Sequence, residues 1–352
     1  MKKEFTAIEA KNEAQKIAFA PILFQAIVSL RETGILSLIG KNKKGAQISE
    51  VVSQSGISEY GVRVLLEAAA SASVVEFSDE DTVSLTTIGV MINMDSMTKV
   101  NFDFVNDVCY NGAKYTTESI KTGIPVGLKT LGNWNTLYEG LMQFPDHVKK
   151  SWLDFDHYYS DSAFLAALKI VFEKKPKIIF DIGGNTGKWA LACCNYDSDV
   201  RVKILDLPVQ LAIAKKNVEL KQLNDRIDLH PINFLDKNQE IPKGADIIWM
   251  SQLLDCFSAD EIISLLKNVL HASDDKTEIY ILEPFIDNQK FDAATYCLTA
   301  TSLYFTTMAN GNSKMYSIKA MEKFIREAGL KVVESFPLLD ESHQTLLKCR
   351  KA

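Results

Sequence analysis

The most informative segment of the sequence is Ile178-Ile-Phe-Asp-Ile-Gly-Gly-Asn-Thr-Gly-Lys-Trp-Ala190. It begins as an apolar run, continues as a glycine-rich turn and ends in a pattern typical of a helix. Glycines let the backbone approach a bound molecule closely, because they lack the Cβ atom that would stand in the way. The segment therefore predicts a buried strand, a ligand-binding turn and a helix in succession.

Seven short apolar runs, separated by helix-like segments with polar faces, occupy the chain from about residue 170 onward. They are Lys177 to Ile182, Val200 to Leu205, Ile227 to Pro231, Asp246 to Met250, Glu278 to Leu282, Lys331 to Pro337 and Thr345 to Cys349. The middle runs are apolar on consecutive residues, as in strands buried on both faces. This alternation predicts an α/β fold with a doubly wound parallel sheet and ligands at the carboxyl ends of its strands. Only the short segment 338–344 joins the last two runs, which favours a closing antiparallel hairpin.

The first 100 residues follow a different pattern, of helices and then one short hairpin. Residues 48–67 are typical of a helix-turn-helix, with Gly56 in the turn and Ser58 as the N-cap of the second helix. Val74 to Phe77 and Val83 to Thr86, joined by an acidic turn, would form a wing. The pattern predicts a helical, winged-helix-like domain.

The charge of this domain argues against DNA as its partner. Residues 46–99 contain eight acids and only two bases, Arg63 and Lys99, and Arg63 is flanked by Glu59 and Glu67. Phosphates would be repelled by such a surface. The apolar segment 17–39 holds more hydrophobic surface than one small winged helix needs, so we expect a homodimer through this domain.

The bulk properties are those of an ordinary globular protein. The chain has 352 residues, a net charge of -6 and a pI near 5.5, which give no electrostatic reason to bind nucleic acid or an anionic membrane. The amino terminus lacks the apolar core of a signal peptide, and no run is long enough to span a membrane. We expect a cytoplasmic protein that handles a small molecule. The expected division is 1–100 for the dimerisation domain, 101–165 for a helical linker to the substrate pocket, and 166–352 for the ligand-binding domain.

Three kinds of nucleotide loop compete for the glycine-rich turn. A Walker A loop needs glycine at 182 and serine or threonine at 189, where the chain has Ile182 and Trp189. The dinucleotide fingerprint also needs glycine at 182. What remains is Asp-x-Gly-x-x-x-Gly followed by Asp206, an acid that ends the second strand.

The pairing of this loop with Asp206 resembles the S-adenosylmethionine (SAM) loop of class I methyltransferases. Together with the amino-terminal domain, it more narrowly resembles the small-molecule O-methyltransferases of the plant caffeate, acetylserotonin and bacterial polyketide type. Residues 181–187 are similar to their DVGGGTG, 205–208 to FDLP and 232–236 to GDFF, and Asn185 replaces a glycine where positive φ is tolerated. The resemblance implies a seven-stranded sheet and a SAM site formed by Asp181, Gly183, Gly184, Gly187, Asp206, Leu207, Asn233, Phe234, Ser251 and Phe257.

The catalytic positions depart from the family's pattern. Residues 253–261 are similar to its VLHDWSDEE, with Asp255 in the place of the catalytic histidine. Of the two supporting acids, Glu283 is kept and Met315 replaces the other. Asp255 is either a base whose apolar surroundings raise its pKa, or a helix cap or pocket edge. His157 is either a substitute base or an exposed helical side chain.

The resemblance also implies an acceptor pocket and no metal. We expect its lining from Trp152, Phe155, Tyr158, Tyr304 and Met308, residues that would otherwise be plain core. The predicted reaction is methyl transfer from SAM to a hydroxyl of a small aromatic or polyketide-like metabolite. The alternatives are a SAM-binding enzyme with C- or N-methylation or non-methyl chemistry, and a ligand-sensing transcriptional regulator.

Overall fold

The computed structural model describes residues 4–42, 44–338 and 342–352. The chain forms two compact units, Met1–Asn106 and Asp107–Ala352. Among the described residues we find no helix with the length and apolar character of a membrane span.

The first unit consists of six helices and a small antiparallel sheet in the described residues. Its helices are α1 (Ala7–Glu32), α2 (Ile35–Gly40), α3 (Ile48–Ser55), α4 (Glu59–Ser71), α5 (Thr87–Met94) and α6 (Ser96–Phe104). Its strands are β1 (Ala46–Gln47), β2 (Val75–Phe77) and β3 (Thr82–Leu85). The expected wing is β2 and β3, and β1 adds a third strand on the free side of β3, which the sequence pattern did not reveal.

The helix-turn-helix forms as its sequence predicts. Gly56 ends α3 with a φ of +71°, a conformation that side chains with a Cβ disfavour. The Ser58 hydroxyl accepts a hydrogen bond from the Gly61 N–H at 3.2 Å and so caps α4. Arg63 on α4 is engaged by two acids, with Glu59 at 2.8 Å and Asp81 at 2.6 Å.

The second unit contains the remaining helices and the large sheet. Its helices are α7 (Thr116–Thr122), α8 (Leu137–Gly140), α9 (Asp146–Asp161), α10 (Phe164–Val171), α11 (Lys188–Tyr196), α12 (Pro208–Leu220), α13 (Ala259–Ala272), α14 (Asp292–Tyr304) and α15 (Ile318–Glu327). Short 3-10 helices cover Ala113–Tyr115, Val126–Thr130, Leu141–Gln143, Phe172–Lys174 and Leu254–Cys256. Two π-helical turns, Val105–Cys109 and Phe305–Ala309, continue α6 and α14.

The large sheet confirms all seven predicted strands. They are β4 (Ile178–Ile182), β5 (Arg201–Asp206), β6 (Ile227–Pro231), β7 (Ile247–Ser251), β8 (Glu278–Glu283), β9 (Leu330–Pro337) and β10 (Thr345–Lys351). The order is β6-β5-β4-β7-β8-β10-β9. The first five strands pair in parallel, and β10 is antiparallel to both β8 and β9, as the closing hairpin requires. Part of the connection 338–344 lies outside the described residues.

Helices cover both faces of this sheet, as expected of a doubly wound fold. Alternate strand residues enter different hydrophobic clusters, because successive side chains of a strand point to opposite faces. One cluster packs Ile248 and Met250 against α13 and α15, and the other packs Ile247 and Trp249 against α10, α11 and α12. The carboxyl ends of β4, β5, β7 and β8 therefore meet at one edge, with their loops side by side.

Candidate active site

The glycine loop joins β4 to α11 through three residues with positive φ. Gly183, Asn185 and Gly187 have φ values of +71°, +49° and +80°. The expected tolerance of Asn185 for positive φ is thereby confirmed. A Cβ atom on Gly183 would lie 2.5 Å from the Leu253 side chain, and one on Gly184 would lie 2.6 Å from Asp181 Oδ2. Because they lack a Cβ atom, these glycines let the loop backbone pack closely against neighbouring protein atoms. The loop needs them for this packing whether or not a ligand is bound.

Two acidic residues, Asp181 and Asp206, lie next to this loop. Asp206, at the end of β5, accepts hydrogen bonds from the Asn185 N–H at 2.8 Å and the Leu207 N–H at 2.7 Å. Burial raises its pKa to about 6. Asp181 is only 2 % exposed, and burial, followed by the nearby Asp206, raises its pKa to about 8. The Asp206 carboxylate holds the loop and keeps a second lone pair on each oxygen for a ligand.

A cavity opens beside the loop, which we call the loop cavity. It is lined by Asp156, His157, Ser160, Asp161, Phe164, Asp181, Gly183, Gly184, Asn185, Thr186, Lys188, Trp189, Trp249, Ser251 and Gln252. Four expected cofactor residues, Asp181, Gly183, Gly184 and Ser251, are in this lining. The stacked indoles of Trp189 and Trp249, 3.9 Å apart, also belong to it.

The polar atoms of the loop cavity fit an amino acid group such as the one at the end of SAM. Asp181 Oδ2, Asn185 Oδ1 and Ser251 Oγ are buried and have no hydrogen-bond partner among the described residues. The same holds for the indole N–H groups of Trp189 and Trp249. Buried polar groups are nearly always paired, so unpaired acceptors and donors together suit a ligand with both an ammonium and a carboxylate.

The other six expected cofactor residues, Gly187, Asp206, Leu207, Asn233, Phe234 and Phe257, lie outside this lining. Asn233 and Phe234 follow β6, where the Asn233 side chain accepts from the Leu235 N–H at 3.0 Å. Phe257 follows the turn after β7, and its carbonyl accepts from the Tyr316 hydroxyl at 2.8 Å. Phe234 and Phe257 pack against the same hydrophobic cluster. An adenine site between them stays a prediction.

Asp255 lies in the 3-10 turn Leu254–Cys256 after β7 and is only 6 % exposed. Burial raises its pKa to about 6. Its Oδ1 accepts from the Cys256 thiol at 3.4 Å, and the Tyr138 hydroxyl donates to Cys256 Sγ at 3.0 Å. Ser258, with Glu261, begins the next helix, so Asp255 is not its cap.

Glu283 ends β8 and holds the turn that carries Asp255. Its Oε1 accepts from the N–H groups of Leu253 at 3.0 Å and Leu254 at 2.8 Å, whereas its buried Oε2 has no partner among the described residues. Burial, and then the charge of Asp255, raise the pKa of Glu283 well above its ordinary value. The raised pKa favours the protonated form of Glu283, which orients the turn without adding a charge beside Asp255.

His157 was expected to be either a substitute base or an exposed helical side chain, and its side chain is not exposed. It lies on α9 with a 21 % exposed side chain, and its Nδ1 is 3.8 Å from Asp156 Oδ2 and 3.9 Å from Asp161 Oδ1. Burial, followed by Lys188, lowers its pKa. It is a neutral member of the loop cavity at pH 7, because even its ordinary pKa lies near 6.5.

The five expected pocket residues divide into two groups. The Trp152 indole donates to the Tyr304 hydroxyl at 2.7 Å, both residues are buried, and Met308 follows one turn beyond Tyr304. Phe155 and Tyr158 instead pack edge-on against Tyr159, and Tyr158 is 37 % exposed.

Tyr138, which no sequence motif singled out, connects the first group to Asp255. Its ring packs edge-on against Trp152, with the ring centres 6.5 Å apart, and its hydroxyl reaches the thiol beside Asp255. The partners are more than 100 residues apart in the chain, so no local pattern could have revealed this contact.

Comparisons with known proteins agree with this architecture. Residues 11–82 match the family described as Dimerisation2-like domain, and residues 160–331 match the O-methyltransferase domain family. O-methyltransferase SfmM3 from Streptomyces lavendulae is 20% identical over 340 residues, which cover 92% of this chain and 96% of the relative. Demethylspheroidene O-methyltransferase from Rhodobacter capsulatus is 23% identical over 314 residues, which cover 86% and 72%.

A solved structure with a similar fold is the SAM-dependent methyltransferase SibL in its apo form. It has a TM-score of 0.73 and 19% identity, and the alignment covers 96% of this chain and 98% of that one. The fold is therefore that of class I methyltransferases, as expected. Residues 160–331 match an O-methyltransferase domain and residues 11–82 a Dimerisation2-like domain, and together these matches support a SAM-dependent O-methyltransferase.

Proposed function

We propose that this protein transfers the methyl group of SAM to a hydroxyl of a small aromatic or polyketide-like metabolite. The observation that carries the proposal is the position of Asp255, a buried carboxylate with a raised pKa, at the strand edge that also bears the loop cavity. Two relatives are named as O-methyltransferases, one of them for demethylspheroidene.

The cofactor supplies a methyl group on a positively charged sulfur, which a nucleophilic oxygen can attack. Asp181, Asn185 and Ser251 would hold its amino acid end, since their oxygen atoms are buried and unpaired among the described residues. Asp206 and Leu207 would contact its ribose, and Asn233, Phe234 and Phe257 its adenine. No metal is required for these contacts.

Asp255 is the proposed base. A carboxyl group with a pKa of about 6 is mostly ionised at pH 7 and is a stronger base than an ordinary aspartate. Asp255 accepts the proton that the acceptor hydroxyl loses when the acceptor oxygen forms its bond to the methyl carbon. Glu283 fixes the turn through Leu253 and Leu254, and is therefore a positioning residue.

The proposed acceptor site is the aromatic wall of Tyr138, Trp152 and Tyr304 beside this base. Aromatic side chains favour a flat acceptor, because ring faces and edges stack in preferred geometries. Within the expected division of the chain, 101–165 would contribute to this wall, and 166–352 would hold the cofactor.

The amino-terminal domain is proposed to form a homodimer. The part of α1 up to residue 22 exposes large apolar side chains, with Ile8, Ile17, Phe19 and Ile22 between 61% and 76% exposed. An apolar groove between α1, the end of α4 and α5 continues this surface. Contiguous exposed apolar surface of this kind is typical of an interaction site.

The experiment is methyl transfer from labelled SAM to a panel of phenols, naphthols and hydroxylated polyketides. We expect the label in a methyl ether of the acceptor, which withstands mild alkali. We expect no label when each acceptor hydroxyl is already methylated. The experiment is repeated with an extract of the host. Label on carbon or nitrogen, or no labelled product from the panel or the extract, would overturn the proposal.

A further inference from the structure

Asp156, on α9, is a charged residue of the loop cavity that belongs to none of the roles above. Its side chain is 27 % exposed and faces the glycine loop, where the Asn185 amide lies 3.4 Å from its Oδ2. It also interacts electrostatically with Asp255. Asp156 therefore lies beside the loop that is proposed to hold the amino acid end of the cofactor, and it interacts with the proposed base.

We propose that Asp156 makes this site select the positively charged form of its cofactor over the neutral product, S-adenosylhomocysteine (SAH). The inference rests on the proposed function. SAM and SAH differ by one methyl group and one charge on sulfur, so a carboxylate in the cavity that binds them attracts only the first. Loss of the charge on methyl transfer removes this attraction and favours release of the product.

The net charge of the groups around Asp156 favours one added cation. Asp161 and His157 share its helix, Lys188 approaches from α11, Asp255 from the turn after β7, and Tyr304 from α14. The Lys188 ammonium is paired with Asp161 at 2.5 Å. Since His157 has a lowered pKa, the local balance of these groups is negative once Asp156 and Asp255 are ionised.

A second observation points to a ligand in the same cavity. Asp181, which is 2 % exposed, has a carboxylate oxygen without a partner among the described residues, and Asp181 and Asp156 line the same cavity. Burial, and then Asp255, raise the pKa of Asp156 to about 7. A cation that binds nearby must lower this pKa and release a proton, whereas a neutral thioether does not.

The test is calorimetric titration of the purified full chain with SAM and with SAH, in pairs of buffers that differ in ionisation enthalpy. At pH 7 SAM is expected to release about half a proton more than SAH, because a group with a pKa near 7 is half protonated. Asp181 can release protons with both ligands, so the difference between the ligands isolates the charge on sulfur.

The matched variants are D156N and D154N. Asp154 is on the same helix but pairs with Lys150 and does not line the cavity. At pH 8 D156N should lower the SAM-to-SAH affinity ratio about tenfold, and D154N should leave it unchanged. Equal proton release for both ligands by the wild type would overturn the inference, and so would an unchanged ratio in D156N. Failure of the wild type to bind either ligand would instead overturn the proposed function.

Discussion

Replacement of Asp255 by asparagine should stabilise the fold while it removes the proposed base. Asparagine keeps the shape of the side chain and the oxygen that accepts from the Cys256 thiol, but it cannot ionise. The pKa of Asp255 is raised from 3.8 to about 6 by burial, so the ionised carboxylate is less stable in the folded state than in the unfolded state.

The magnitude follows from the two pKa values. A difference of about two units corresponds to about 3 kcal/mol of unfolding free energy, at about 1.4 kcal/mol per unit. The raised pKa means that wild-type stability is undiminished below pH 3.8 and falls as the pH rises through 6. Relative to wild type, D255N should therefore gain about 2 kcal/mol at pH 5 and about 3 kcal/mol at pH 8.

Urea unfolding between pH 5 and pH 8 measures this difference. All four tryptophans lie in the second unit, so their fluorescence reports on the unit that contains Asp255. D154N, which removes an exposed charge, should stay within about 0.5 kcal/mol of wild type. If D255N were less stable than wild type at pH 8, or if its gain did not grow with pH, Asp255 would not be a buried carboxylate with a raised pKa.

Three further predictions concern turnover, metal and assembly. The turnover rate of the wild type should fall below pH 6, as Asp255 becomes protonated. D255N should be at least about tenfold slower at pH 7 without this decline; an unaffected rate excludes Asp255 as the base. EDTA should leave the rate unchanged, and a loss that Mg²⁺ restores would contradict a metal-free site. In sedimentation equilibrium the wild type should be a dimer and I22D mostly a monomer, whereas a monomeric wild type would refute the proposed interface.

The fold was largely predictable because its signals are local. Each strand of the large sheet is a short apolar run, and Gly56 and Ser58 mark the turn between α3 and α4 in the positions that their conformations require. The strand β1 was missed because it has only two residues, too few for an alternating pattern. The π-helical turn Phe305–Ala309 was missed because it continues the apolar pattern of α14.

The site was less predictable, because its contacts join distant parts of the chain. Asp181 and Ser251 could be chosen from strand ends, where ligands of such sheets bind. Asp156 and Tyr138 are ordinary helix residues in the sequence, and only the folded chain places them near Asn185 and Cys256. The separation of the five expected pocket residues into two groups was not predictable either, because helical spacing does not tell which side of α9 faces a ligand.

Binding of SAM by the glycine loop underlies the proposed function, and equilibrium titration of the full chain with SAM measures it. We expect micromolar affinity for the wild type. We expect at least tenfold weaker binding by G184A, whose Cβ would lie 2.6 Å from Asp181 Oδ2, with the folded state verified by circular dichroism. No binding by the wild type, or equal binding by a folded G184A, would show that the glycine loop is not a SAM site.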